Sequence, residues 1–431
     1  MKNRNEITIV GAGFTGLTLG IYLIKKNYRV KILESSSEIG GLASTFKLEK
    51  GQELEKFYHH WFNNDIHILN LIKELNLEEN IKVNFSKTGL YYANNFFKLS
   101  SPLDLLRFKP LNLIQRIRLG LLALRVKFIS NWMLLEKKSA EDWLIELGGK
   151  RVFEIVWKPL LEGKFGSYSK EISAVWFWNK LKLRGGSRGE KGKEELLFYK
   201  GGFKELINSM AKEIKNKGGH IQLEYPVKKI EQIGNLWLLN EEIQTDKIII
   251  TTAIPLYKKL IEPWADKNYL RGLNKIKYIG NVCLILELSK SLSDTYWLNV
   301  NDSSFPFVGL IEHTNFEQKE NYNGNHIVYL SKYIQTASTL YNLTKEEFFD
   351  YSIPFIQKMF PEFEENWVVN YHLWKAEYSQ PIVTKEYSNI KPEMKTPYDG
   401  LFLCSMAQIY PEDRGTNYAV KYAKKLVNDF F

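Results

Sequence analysis

The chain has 431 residues, enough for two or three domains and a sizeable core, and its 44% hydrophobic and 25% charged residues are ordinary for a globular protein. The net charge of +10 is spread along the chain, with no dense basic stripe and no known nucleic-acid module, so nucleic acid is not an expected partner. That excess leaves open an anionic substrate, a cofactor phosphate or an acidic membrane surface. Cys283 and Cys404 lie in apolar runs without disulfide or metal spacing, and no run is apolar for long enough to span a bilayer. A cytoplasmic protein without a metal centre is expected, with peripheral attachment to a membrane still open.

In chain order, the first stretch is the most informative. Ile7 to Val10 reads as an apolar strand, followed by a glycine-rich turn, a helix from near Thr15, a strand from Arg29 to Leu33, and Glu34. This is the context that a G-x-G-x-x-G turn needs to hold a dinucleotide. Gly11 permits the tight turn, Gly13 lets the backbone approach a pyrophosphate, and Gly16 lets the helix pack close to the sheet. The pyrophosphate would sit on the free amides of the helix start, near Phe14 and Thr15. Glu34 is placed to accept hydrogen bonds from a ribose, and its charge would repel a 2′-phosphate. The paired glycine in Gly40-Gly41-Leu42-Ala43-Ser44-Thr45 suggests a second backbone approach to the same ligand.

A dense polar and aromatic cluster, Gln52 to Phe62, contains His59 and His60. Helices are expected from Asp65 to Leu75 and from Leu113 to Leu134. On the second, Arg116 and Lys127 lie on one side and Arg118 and Arg125 on the opposite side, so a core helix with snorkelling cations is the plainer reading. A helix from Ser139 is followed by what reads as a shaped loop, Val156 to Gly166, carrying Lys164. A flexible basic loop spans Gly185 to Lys193. A helix from Glu205 to Lys217 precedes short strands at 220–224, 227–233, 237–239 and 247–252. Longer strands between Tyr278 and Tyr333 suggest a mixed or antiparallel sheet in a second domain. A helix, Lys345 to Met359, a last strand, Gly400 to Ser405, and a closing helix, Tyr418 to Phe430, complete the chain.

The combination of GAGFTGL, Glu34, Gly40 to Thr45, Gly201-Gly202-Phe203-Lys204-Glu205-Leu206 and the terminal GTNYAV segment resembles the FAD-dependent amine oxidase superfamily. That group includes protoporphyrinogen oxidases, phytoene-type desaturases and monoamine oxidases, with UDP-galactopyranose mutase more distant. The resemblance implies an α/β fold: a Rossmann-like FAD-binding domain (1–85, 195–260 and 395–431) and a discontinuous substrate domain (86–194 and 261–394), the latter a mixed sheet plus a helical insertion. It implies FAD as cofactor, held at Gly11, Gly13, Phe14, Thr15, Gly16 and Glu34. Gly41 to Thr45, with Leu42 and Ala43 among them, would run beside the ribityl-diphosphate, Val227 would touch adenine, and Gly415, Thr416 and Asn417 would place a helix N-terminus near the flavin N1/O2 edge. Leu42 stands where the family usually has Arg, and Arg414 or another cation is expected to substitute. Ser405-Met406 stands where the family has Gly and an acidic residue.

The flavin carries the redox chemistry, so side chains need only orient the substrate and handle protons. His59, His60, His313 and Tyr410 are the candidates. Of the two adjacent histidines, at most one should face the flavin. Lys164, Arg184 and Arg188 could grip a phosphate or carboxylate. The expected activity is an FAD-dependent oxidoreductase taking a hydride from a C–N or C–C bond of a sizeable, lipid-like or other organic substrate, reoxidised by oxygen, a quinone or another acceptor. The alternatives are a flavin-dependent sugar-nucleotide mutase and a non-catalytic flavin-binding partner.

Overall fold

The computed structural model describes residues 5–98, 102–186 and 195–431. Along the chain, β1 (Glu6–Val10) leads into α1 (Phe14–Lys25) and β2 (Arg29–Leu33), followed by α2 (Ile66–Glu74), β3 (Thr88–Tyr92) and β4 (Asn95–Phe97). A helical segment comes next: α3 (Pro102–Arg107), α4 (Leu113–Phe128), α5 (Ala140–Gly148), α6 (Lys158–Phe165) and α7 (Ala174–Gly186). Then come α8 (Phe203–Asn216), β5 (His220–Gln222), β6 (Lys247–Ile250), β7 (Tyr278–Leu288), β8 (Trp297–Val300), β9 (Gly309–Glu312) and β10 (His326–Ile334). The chain closes with α9 (Lys345–Met359), β11 (Val368–Pro381), β12 (Leu401–Leu403) and α10 (Thr416–Phe430).

Two sheets organise the molecule. The first is parallel, in the order β5-β2-β1-β6-β12. It is covered on both faces, which is why β6 reads as an unbroken apolar run. Ile7 and Ile9 join the core of α1, α8 and α10, whereas Val10, Ile248 and Ile250 join a core that includes Trp143, Phe165 and Trp176. The second sheet runs β11-β7-β10-β9-β8-β3-β4, antiparallel except where β8 pairs with β3. The α/β class, with one parallel sheet and one mixed sheet, agrees with the expectation. So does the return of the C-terminal strand and helix to the first sheet.

Three local expectations are corrected. α4 ends at Phe128, not Leu134: Ile129 is extended, and the Asn131 side chain caps a separate 3-10 turn, Trp132–Leu135. The segment read as a loop, 156–166, is helical through α6, with Pro159 in its first turn. Gly163 sits there because a Cβ would come within 2.6 Å of Val308 Cγ1, so the glycine serves close packing and not a turn. α7 runs through Gly186, and the remainder of the basic stretch lies outside the described residues, as do Arg188 and the Arg184 side chain.

Candidate active site

The turn between β1 and α1 separates three glycine roles. Gly11 has φ +108°, and a Cβ there would strike Thr251 Oγ1 at 2.4 Å. A Cβ on Gly16 would lie 1.9 Å from the Gly11 carbonyl oxygen, so α1 can approach the turn only with glycine. Gly13 differs: a Cβ would meet nothing nearer than Gly40 O at 3.8 Å, so its freedom serves something other than protein packing. α1 starts directly after Gly13 without a side-chain cap, leaving first-turn amides of Phe14, Thr15 and Gly16 for an anion. The Gly40 N–H donates to Ala12 O at 2.9 Å, which brings the 3-10 turn of Gly41, Leu42 and Ala43 beside these amides. Glu34 accepts from the Ala12 N–H (2.8 Å) and the Ser36 N–H (3.0 Å). The Tyr225 N–H donates to Glu34 O at 2.8 Å and holds the stretch leading to Val227 alongside.

The head of α10 converges on the same place. Trp61 Nε1 donates to Thr416 Oγ1 at 2.7 Å. The Asn417 side-chain oxygen accepts the His67 and Ile68 N–H groups at 2.9 and 3.1 Å, capping α2 from another helix. His59 lies between: its ring is 5.3 Å from Phe203, which in turn meets Phe14 at 6.1 Å. His59 Nδ1 is 2.6 Å from Phe57 O, and a carbonyl only accepts, so Nδ1 carries the hydrogen and Nε2 is the acceptor. Burial lowers the His59 pKa to about 4, the Phe57 carbonyl opposing and Arg414 assisting, so the ring is neutral at pH 7. His60 diverges to Tyr296 Oη (3.0 Å) and the Phe62 and Trp297 rings.

Just before α10 stands a buried charge cluster. Asp413 is only 6% exposed; its Oδ1 accepts from Trp176 Nε1 (3.0 Å) and Gln380 Nε2 (3.1 Å). Its Oδ2 faces Lys180 Nζ at 2.5 Å and Lys164 Nζ at 3.8 Å. Burial opposes ionisation, but Lys180, Lys164 and Arg414 outweigh it and hold the carboxyl far below the usual range. The Lys164 ammonium lies over the rings of Trp176 (4.7 Å) and Tyr333 (5.1 Å). Arg414 Nη2 donates to Tyr333 Oη at 2.7 Å, tying the α10 loop to β10 of the second sheet.

The chain matches the family model described as flavin containing amine oxidoreductase over residues 14–412. It belongs to that family. It is 23% identical over 429 residues to a 15-cis-phytoene desaturase of Solanum lycopersicum, covering 92% of this chain and 73% of the relative. Its fold is that of putrescine oxidase bound to putrescine (TM-score 0.74, 15% identity, 99% and 98% of the two chains). Reduced UDP-galactopyranose mutase is a further fold match (TM-score 0.76, 13% identity, 98% and 95%). As a flavin-containing amine oxidoreductase, this chain is an FAD-dependent oxidoreductase.

The residues present fit FAD. A Cβ on Gly13 would make only ordinary contacts, with Gly40 O and Gly41 Cα, so the protein's own packing does not demand a glycine there. The buried polar atoms that lack a partner among the described residues include Thr252 Oγ1, near the Gly11 turn, and Arg414 Nε, beside the α10 head. A long ligand running from the turn to α10 would offer acceptors to both.

Other expected residues are placed elsewhere. Arg414 lies just before α10, where its Nη2 donates to Tyr333 Oη. The cations near Gly40–Ala43 are Lys204, paired with Glu38, and Lys56, whose N–H donates to Ser44 O. Tyr410 is buried and its hydroxyl donates to Glu136 Oε1 at 2.6 Å, with Tyr387 and Trp132 against its ring; it is fixed as a packing residue. His313 is likewise removed from the site: it is 3% exposed among Phe198, Tyr322 and Tyr329, with Nε2 2.7 Å from Tyr322 Oη. Asp413, Trp176 and Tyr333 were not singled out as charged-site residues, although the adjacent Asp413-Arg414 before Gly415 was a readable signal.

His313 gives a stability prediction. Burial lowers its pKa to about 3, so the folded protein keeps it neutral while the unfolded chain takes up a proton below about pH 6.5. Stability is therefore lost as the pH falls from about 6.5 towards 3. At about 1.4 kcal/mol per unit, His313→Gln should lose about 2–3 kcal/mol less than wild type between pH 7 and pH 4.5, read by urea unfolding.

Proposed function

We propose that this oxidoreductase takes a hydride from a C–N or C–C bond of a sizeable organic substrate that carries an anionic group. The observation behind this reading is the cationic cluster beside α10, where Lys180 and Lys164 face Asp413 Oδ2 and Arg414 adds to the field that keeps that carboxyl ionised. Such a cluster disfavours an alkylammonium at this end of the substrate and suits a carboxylate or phosphate, to which lysine and arginine side chains can donate charge-assisted hydrogen bonds.

In this reading the amides around Gly13 to Gly16 and Gly41 to Ala43 would hold the FAD diphosphate and Glu34 its ribose. The head of α10 at Gly415 to Asn417 would favour negative charge on the ring system. Bound FAD supplies a two-electron acceptor, itself reoxidised by oxygen, a quinone or another acceptor. Arg414 and Lys164 grip the acidic group, with Tyr333 beside both. His59 presents a neutral Nε2, a hydrogen-bond acceptor that orients the proton the substrate gives up. Residues 1–85, 195–260 and 395–431 form the cofactor domain, and 86–194 with 261–394 the substrate domain.

The test is Arg414→Gln. Loss of a charge-assisted hydrogen bond of about 1.5–3 kcal/mol should raise KM for an acid-bearing substrate about 10–100-fold with a smaller change in kcat. An unchanged KM refutes the assignment. The same cations would suit a diphosphate, which supports a sugar-nucleotide mutase as a second reading. Turnover without net consumption of an electron acceptor, and only after prior reduction of the flavin, would decide for it.

A further inference from the structure

α4 has two apolar faces and only one is covered. Leu119, Leu122 and Val126 are buried, and Trp178 of α7 donates its indole N–H to Val126 O. On the opposite side Leu113, Ile114, Ile117, Leu121, Leu124 and Phe128 are each half exposed or more, Phe128 reaching 83%. At about 100° per residue these six fall within an arc of roughly 100°. Arg116 and Lys127 flank one edge of that arc, Arg118 and Arg125 the other. The neighbouring α3 adds exposed Leu103 and Leu106, and the 132–135 turn adds Met133 and Leu134. Between Pro102 and Leu135 the sequence has six Lys or Arg and one acidic residue, Asp104, so this segment carries half of the chain's net +10. α4 is thus a core helix on one face only.

An exposed apolar stripe of this width, bordered by cations on both sides, is the pattern of a helix lying in a membrane interface. We propose that the outer face of α3, α4 and the 132–135 turn seats on an anionic lipid bilayer, with α4 in the plane of the surface. Charge complementarity chooses this occupant. A second copy docked through the same face would bring a like-charged cationic border against its own, whereas anionic headgroups neutralise it and acyl chains cover the stripe. No helix among the described residues is long and apolar enough to cross a membrane. Two residues before Trp178, on the other side of α7, Trp176 donates to Asp413. One helix therefore separates the lipid-facing element from the charge cluster, a placement suited to an amphiphile drawn from the bilayer. The attachment itself does not depend on which substrate is turned over.

The test is flotation of the FAD-loaded protein with vesicles of phosphatidylcholine alone and of phosphatidylcholine with phosphatidylglycerol. Binding to the anionic vesicles is expected, weakening as salt rises. Ile114→Ser with Phe128→Ser alters only outward side chains, so flavin content and thermal unfolding should stay as in wild type while binding falls at least about tenfold. Arg118→Glu with Arg125→Glu should reduce binding to the level on neutral vesicles. Absence of binding to anionic vesicles, or binding indifferent to the outward substitutions, overturns the proposal. A dimer abolished by the Ile114 and Phe128 substitutions, without vesicle binding, would assign the face to a second copy and also overturn it.

Discussion

Gly13→Ala should give a folded protein that purifies without its flavin colour. The backbone at Gly13 has φ −76° and ψ −178°, which any L-residue adopts, and the added Cβ makes only ordinary contacts with the protein. On the cofactor placement proposed above, the methyl group would stand between the first-turn amides of α1 and the FAD diphosphate. Affinity for FAD should fall by about 100-fold or more, because several charge-assisted hydrogen bonds of about 1.5–3 kcal/mol lengthen together. Gly16→Ala is the contrasting case. Its Cβ would lie 1.9 Å from Gly11 O, so α1 must move away from the turn and the fold itself suffers, by about 1–3 kcal/mol. Apo-protein thermal unfolding and FAD titration separate the two: the first variant loses cofactor alone, the second loses both.

Asp413→Asn should be the most destabilising isosteric change at the charge cluster. An amide oxygen at Oδ1 can still accept from Trp176 and Gln380. The amide nitrogen at Oδ2, however, would point a donor at Lys180 and Lys164 in place of the carboxylate oxygen that faces them. Breaking a buried ion pair from one side costs about 3–5 kcal/mol; Lys180, at 38% exposure, is partly solvated, so about 2–4 kcal/mol is expected. The pH sign follows from the depressed folded-state value. The stabilisation from Asp413 is complete above the unfolded aspartate range, near pH 4–5, and is lost only as the pH falls below it towards the folded value. Urea unfolding of wild type and variant at pH 7 measures the difference, which should shrink in strong acid.

What was legible in the sequence was local. β2 and α9 have the expected ends because turn chemistry and a capping box, Thr344 with Glu347, write them in adjacent residues. The glycine turn was legible for the same reason. The stretch around Gly163 reads as a loop because the cause of that glycine is Val308, far along the chain, and a glycine that serves packing looks like one that serves a turn. Asp413 was passed over because its partners Lys164, Trp176, Lys180 and Gln380 come from separate elements that only folding brings together. His313 looked like a loop-end acid–base group, yet the strand end it follows is buried against Tyr322 and Phe198. In α4 the cations were placed correctly on opposite sides, but sequence periodicity does not say which of two apolar faces the core takes.

The most direct test of the central claim is anaerobic titration of the FAD-loaded protein with paired amphiphiles of equal chain length, one ending in a carboxylate or phosphate and one in an amine, each with an oxidisable C–N or C–C bond. Bleaching of the visible flavin band by the acidic members, in step with one equivalent of oxidised product and restored by an electron acceptor, is the predicted result. Bleaching by the amines alone, with the acidic members inert, would contradict it.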